Sequence, residues 1–346
     1  VNREWNPWLP GGGRGGGRLR PRICLLLLGI AGGCAGNPSS RVPGEEAPRV
    51  GDEIVACGRF FHVGAPVVLW MDPRGYDAYR VEPRFPEEVP ARTPPPAGPR
   101  YASLRKGLPE DLAAKIRKRG WTLPELQGWV SQFVVHYDVC GTSRQCFKVL
   151  QDRRGLSVHF MLDVDGTIYQ TLDLKERAWH AGKANERSIG IEIAQIGAYP
   201  SPDHEVLRSW YRRVGGRVRI RFPSWMDETG IRGGDGPFRP AREALQSGVV
   251  QGRRLYQYDF TEAQYRSLAR LLAALNRIFP RIRLDAPRNA DGKVRDSALS
   301  AEELADFEGV LGHYHVTTRK IDPGPAFDWN RVLREARDLR WGRTPR

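Results

Sequence analysis

The residues best suited to chemistry are His136, which ends an FVVH run, and the segment LGHYHVTTRKIDPGPAFDW over 311–329, which holds His313, His315, Lys320 and Asp322. Two histidines and one carboxylate make three ligands of a tetrahedral zinc ion and leave the fourth position open, as in a catalytic rather than a structural site. Zinc brings the pKa of a bound water to about 7, which makes hydroxide available for attack on an unactivated amide. Glu192, inside the run SIGIEI, could carry a proton from water to a leaving group, and Lys320 could hold charge developing on a carbonyl oxygen. Of the other histidines, His62 lies among aromatics and His159 within a strand-like run, and both read as structural, while His180 stands in AWHAG over 178–182.

These residues need a scaffold, and the patterning supplies one. Phe133 to His136 is a short buried strand by its β-branched run; Ser157 to Leu162 and Thr167 to Leu172 read as strands joined through Asp165-Gly166, a hairpin signal. Ser188 to Ile196 alternates apolar positions as a further strand. Leu108 to Lys118 has helical spacing, and Thr261 with Gln264 reads as a capping box opening a helix that puts Tyr265, Leu268, Leu272, Leu275 and Phe279 on one face. Strands alternating with helices around one sheet give an α/β class. Between about 198 and 259 lies a long segment rich in Gly, Pro and Arg, an insertion that is either a solvated insert or a substrate-binding surface.

Taken in order, VVH at 134–136, SVHF at 157–160, AWHAG at 178–182, SIGIEI at 188–193, and GH followed by RKIDPGPAFDW at 319–329 resemble the zinc amidases of the amidase type 2 group, which includes peptidoglycan recognition proteins. The resemblance runs from about Phe133 to Trp329 and implies a central mixed β-sheet flanked by helices. It implies zinc on His136, His313 and Asp322, catalytic Glu192 and Lys320, and hydrolysis of the amide between N-acetylmuramic acid and L-alanine. The interval from glycine-histidine to lysine is one residue shorter than in the nearest bacterial members, which makes His315 the alternative to His313. Trp179, His180 and Asn185 are expected to line the sugar or peptide groove. Peptidoglycan or muropeptides are the expected partners; the alternative within the superfamily is a recognition protein that binds peptidoglycan without cutting it.

In 346 residues, Lys and Arg outnumber Asp and Glu by 54 to 40, a net charge of +14 that favours an anionic partner. No recognition helix, RNP-like strand or zinc-finger spacing accompanies that charge, so nucleic acid is not expected. Arg14, Arg18, Arg20 and Arg22 precede the apolar run ICLLLLGI over 23–30, and AGGC then ends at Cys34. That order reads as an export signal, too short for a membrane-spanning helix, and AGGC resembles a lipoprotein box with Cys34 lipidated. The expected organisation is a signal over 1–34, a tether over 35–51, a small β-rich element with a Pro-rich connector over 52–100, and the amidase domain over 101–346. The expected location is the periplasmic side of a bacterial membrane, held by a lipid anchor. Export makes a Cys140–Cys146 disulfide plausible, as in many recognition proteins, and leaves Cys57 as a buried thiol.

Overall fold

The structure, a computed structural model, describes residues 41–86, 98–226, 228–234 and 236–343; the expected signal, the lipidation at Cys34 and the first part of the tether lie outside them. Strands β1 (Glu53–Ala56) and β2 (Arg59–His62) form a hairpin turned by Cys57 and Gly58, followed by β3 (Val67–Leu69) and β4 (Tyr101–Ala102). Helix α1 (Glu110–Arg119) begins after Pro109, and α2 (Leu123–Trp129) opens on a Thr122–Glu125 capping box. Next come β5 (Gln132–Tyr137), α3 (Ser143–Phe147), β6 (Phe160–Leu162), β7 (Ile168–Gln170), β8 (Arg177–Ala178) and β9 (Ser188–Ile193). The described residues of the 198–259 segment include α4 (Glu205–Trp210) and two hairpins, β10 (Tyr211–Val214) with β11 (Arg217–Ile220) and β12 (Gln246–Val250) with β13 (Arg253–Gln257). The chain closes with α5 (Glu262–Ile278), α6 (Ala301–Asp306), β14 (Gly309–Gly312), α7 (His313–Val316) and α8 (Trp329–Arg340).

Six strands form one mixed sheet in the order β14-β5-β9-β6-β7-β3. β14, β5, β9 and β6 run parallel, β7 turns back antiparallel on β6, and β3 lies parallel to β7. The strand expected over 157–162 pairs regularly only from Phe160; ahead of it the Ser157 hydroxyl donates to the Arg100 carbonyl and accepts from the Trp179 amide. β3 brings residues 67–69 from the N-terminal stretch into the same sheet.

Alternation along the strands separates a packing face from a working face. Phe133, Val135 and Tyr137 of β5 and Ile189, Ile191 and Ile193 of β9 join Tyr265, Leu268, Leu272 and Leu275 of α5 and Val332 and Leu333 of α8 in the main apolar core. Their neighbours Val134 and His136 on β5, and Gly190 and Glu192 on β9, therefore point to the other side. Thr261 caps α5 through the Gln264 amide and also donates to the Val164 carbonyl, while Gln264 reaches Ala194 O at 2.8 Å, which fixes the helix against the sheet. Among the described residues no helix is long and apolar enough to cross a membrane.

Candidate metal centre

Strand register assembles the site. His136 is paired directly with Glu192, and Gly312, the end of β14, with Val135, so that His313 emerges beside His136. Asp322 arrives on the loop that follows α7. His136 Nδ1 lies 2.9 Å from His313 Nδ1 and 3.0 Å from Asp322 Oδ2, and His313 Nδ1 lies 2.9 Å from the same oxygen. All three side chains are buried. His315 points elsewhere: its Nδ1 accepts from Gly312 N at 2.9 Å and its Nε2 donates to Arg295 O at 2.7 Å. Of the two alternatives the structure therefore brings His313, not His315, to the site.

Two Nδ1–H groups could both donate to Asp322 Oδ2 but would then face each other across 2.9 Å, whereas a single cation satisfies all three atoms. Their separations are close to the ~3.3 Å that bonds of about 2.0–2.1 Å subtend in a tetrahedron. Burial, then the charge of His313, pushes His136 down to about 4 against the pull of Asp322, which favours the neutral ligand form. Burial works to raise Asp322, but His313 and His136 override it and hold the carboxyl well below the usual carboxylate range.

Glu192 has the opposite character. Burial, then the charges of Asp322 and Asp138, raises it well above the ordinary carboxylate value, with Lys320 and Arg154 opposing. Its Oε2 is buried without a hydrogen-bond partner. Half-buried Lys320 stands close enough for its charge to act on both His136 and Glu192.

In the AWHAG segment, expected to line a groove, the polar atoms of His180 turn inward. His136 Nε2 meets His180 Nδ1 at 3.0 Å, and His180 Nε2 faces Ser188 Oγ at 3.3 Å, so both nitrogens of His180 are engaged inside the protein. His180 lies against Gly190, where an added Cβ would come within 2.4 Å of its ring. Asn185 is likewise buried, its Oδ1 accepting from the amides of His180 (3.2 Å) and Ala181 (2.7 Å) to shape the loop. Trp179 is half-buried, with its indole N–H buried and unpartnered. His159 is structural: it accepts from Gly190 N at 3.1 Å and donates to Glu176 O at 3.0 Å.

The expected Cys140–Cys146 bridge is not formed. Both residues are free thiols in one apolar cluster, and burial raises both well above the ordinary thiol value, which disfavours the thiolate that disulfide exchange needs.

Several supporting residues carried no sequence signal. Arg105 is buried and donates to four carbonyls, those of Asn185, Ser188, Leu174 and Glu176, which clips the AWHAG loop to the start of β9; burial pushes it down to about 10. From the 198–259 insertion, Gln251 donates to the carbonyls of Tyr314 and Thr317, and Gln257 donates to Pro323 O at 3.1 Å and accepts from Ala326 N at 3.0 Å. The two glutamines hold the loop that carries Asp322. Neither the long separation nor a glutamine in a hairpin announces such a role.

A mixed α/β sheet that presents two histidines and a carboxylate beside a buried glutamate has the makings of a hydrolytic centre. The chain belongs to the N-acetylmuramoyl-L-alanine amidase family, whose profile matches residues 127–325, more than half of its length and the whole of this site. Among solved structures, a selenomethionine derivative of AmpD is 20% identical, with a TM-score of 0.29 over 60% of this chain and 86% of that one. The amidase AmiD from E. coli, solved with anhydro-N-acetylmuramic acid-L-Ala-D-γ-Glu-L-Lys, is 18% identical, with a TM-score of 0.32 over 60% of this chain and 57% of that one. The endolysin amidase LysCS from Clostridium intestinale URNW is 13% identical, with a TM-score of 0.31 over 63% and 88%. No curated protein matches the sequence.

Proposed function

We propose that this chain is a zinc-dependent amidase that cleaves the bond between the lactyl group of N-acetylmuramic acid and L-alanine in peptidoglycan or muropeptides. The observation that carries the reading is the buried triangle of His136, His313 and Asp322 with Glu192 paired beside it. His136 and His313 through Nδ1 and Asp322 through Oδ2 would hold the ion. Zinc there supplies Lewis acidity and brings a water's pKa near neutrality.

The chain's own groups do the rest. Burial raises Glu192 and so makes its carboxylate the stronger base: in its ionised form it can take a proton from the attacking water, and the carboxylic acid so formed can release that proton to the leaving amine of L-alanine. Lys320 places a positive charge beside the reacting carbonyl. His180, pushed well below its ordinary value by burial and then by His136, stays neutral; its Nδ1 accepts from His136 Nε2–H, which fixes the tautomer that turns Nδ1 to the metal.

Digestion of purified peptidoglycan, with and without chelator and with Glu192→Ala, followed by mass analysis of the products, tests the reading. Free stem peptides that begin with L-alanine, lost on chelation and in the variant, are expected. Binding to peptidoglycan with no new N-terminus would replace the enzyme by a recognition protein. We further infer export and lipid anchoring at Cys34 from the Arg-rich, apolar, AGGC order of the first 34 residues. Expressed in a bacterium, the protein should partition with membranes, and Cys34→Ala should release it; a variant that stays with the membrane would sink the anchor.

A further inference from the structure

We propose a second divalent-cation site, independent of the catalytic triangle, at the open end of the N-terminal hairpin, formed by Asp52, Glu53 and His62. Glu53 opens β1 and His62 closes β2, and the two are directly paired in the hairpin register, with Asp52 immediately before. One ligand atom from each of the three lies within 4.8 Å of the others. His62 Nδ1 stands 3.1 Å from both carboxylate oxygens of Asp52, near the ~3.3 Å expected of donors sharing a tetrahedral ion with bonds of about 2.0–2.1 Å.

Glu53 supplies the decisive observation. It is fully buried, and its two oxygens are treated differently. Oε2 accepts from the amides of Val50 (2.7 Å), Gly51 (3.0 Å) and Asp52 (3.2 Å) and lies 3.5 Å from Arg49 Nη1. Oε1 is buried and receives no donor. A buried carboxylate oxygen left without a donor has lost its hydration with nothing in exchange. The backbone has fixed Oε2, which leaves Oε1 as the atom free to ligate.

Charge points the same way. Glu53 and Asp72 share one guanidinium, that of Arg49, whose Nη2 is already spent on Asp72 and the Val67 carbonyl, which leaves Asp52 with His62. Arg270 reaches in from α5 but donates to the Gly64 carbonyl. Asp52 keeps 27% of its side chain exposed, so an ion has a way in. One imidazole and two carboxylates suit zinc or a similar borderline ion better than calcium, which prefers an all-oxygen shell. Bound there, it would tie the open ends of β1 and β2 together next to β3, where Gly51 O accepts from Val67 N at 2.9 Å.

Equilibrium dialysis of the full chain against buffered zinc, with the bound metal counted by elemental analysis, tests the site. Wild type is expected to bind two equivalents, His313→Ala one, and His62→Gln one with amidase activity unchanged. Wild-type stoichiometry in His62→Gln, or no zinc in His313→Ala, would overturn the proposal in favour of a proton shared between Asp52 and Glu53. One wild-type equivalent, abolished by His62→Gln and kept in His313→Ala, would instead remove the catalytic zinc and leave this site standing. Should His62→Gln fail to fold, the rise in Tm that zinc gives His313→Ala decides: it is expected to vanish in His313→Ala/Asp52→Asn, and its persistence there would count against the site.

Discussion

Glu192 and Asp322 are carboxylates in the same buried pocket with opposite protonation tendencies, and their neighbours explain the difference. Asp322 touches two imidazoles through one oxygen, so the ionised form is favoured in spite of burial. Glu192 has no such contact, and one of its oxygens has no donor, so the neutral form is favoured. Environments that push two carboxyls apart divide the labour between a ligand and a proton carrier. Glu192→Gln keeps the shape and removes the proton exchange. Steady-state kinetics on a muropeptide should show kcat down by about 10²- to 10⁴-fold with bound zinc unchanged; a loss of zinc in parallel would mean that Glu192 serves the metal instead.

At the level of elements, the site is a consequence of register. Parallel pairing of β5 with β9 sets His136 opposite Glu192, and the alternation that sends Ile189, Ile191 and Ile193 into the core sends Gly190 and Glu192 the other way. Gly190 has no side chain because His180 occupies that space. Gly190→Ala should displace the ring, destabilise the fold by about 1–3 kcal/mol from overpacking, and weaken zinc binding by roughly 10- to 100-fold through the lost support of His136. Thermal melts and chelator competition would check this, and unaltered zinc affinity would show that His180 does not position His136. A second element-scale test concerns Arg105, which fastens the AWHAG loop through four carbonyls. Lysine has three donors on one atom and cannot span the same arc, so Arg105→Lys should cost on the order of 2–4 kcal/mol in denaturant unfolding. These supports mark where the sequence stops being informative. His136, Glu192, His313 and Asp322 sit in short runs with recognisable local patterns, and Thr261 with Gln264 announces α5 by capping chemistry. Arg105, Gln251 and Gln257 act on backbone carbonyls tens of residues away, and a carbonyl carries no residue identity for a sequence to display. The same limit hides the inward hydrogen bonds of His180 and Asn185, whose residue types alone suit a groove.

Over the whole molecule, the sheet's working face buries titratable groups that a metal-free protein must keep in one protonation state, and acid should expose this. His159 is held down to about 3 by burial and then by the charge of Arg105, against an ordinary value near 6.5. A depressed histidine is neutral when folded and takes a proton when unfolded, so the stability it contributes is present above about pH 6.5 and drains away as pH falls towards 3. His315, down to about 4 by burial, acts in the same sense. Asp138 and Asp163 act in the opposite one: burial lifts them to about 7 and about 8, so their contribution is complete in acid and is lost as pH rises through those values. Because the two sets oppose each other, the total pH profile identifies neither, and a difference between variants is needed. In chelator, His159→Gln should be less stable than wild type at about pH 7.5, having lost the bridge between Glu176 O and Gly190 N. At about pH 4.5 only the wild type bears the penalty of an unprotonated buried histidine, so the gap should close by about 3 kcal/mol, from ~1.4 kcal/mol for each of roughly two pH units. Denaturant unfolding of both proteins at the two pH values measures it. A gap independent of pH would mean that His159 takes up its proton in the folded protein, and that the sheet opens locally to let water reach it.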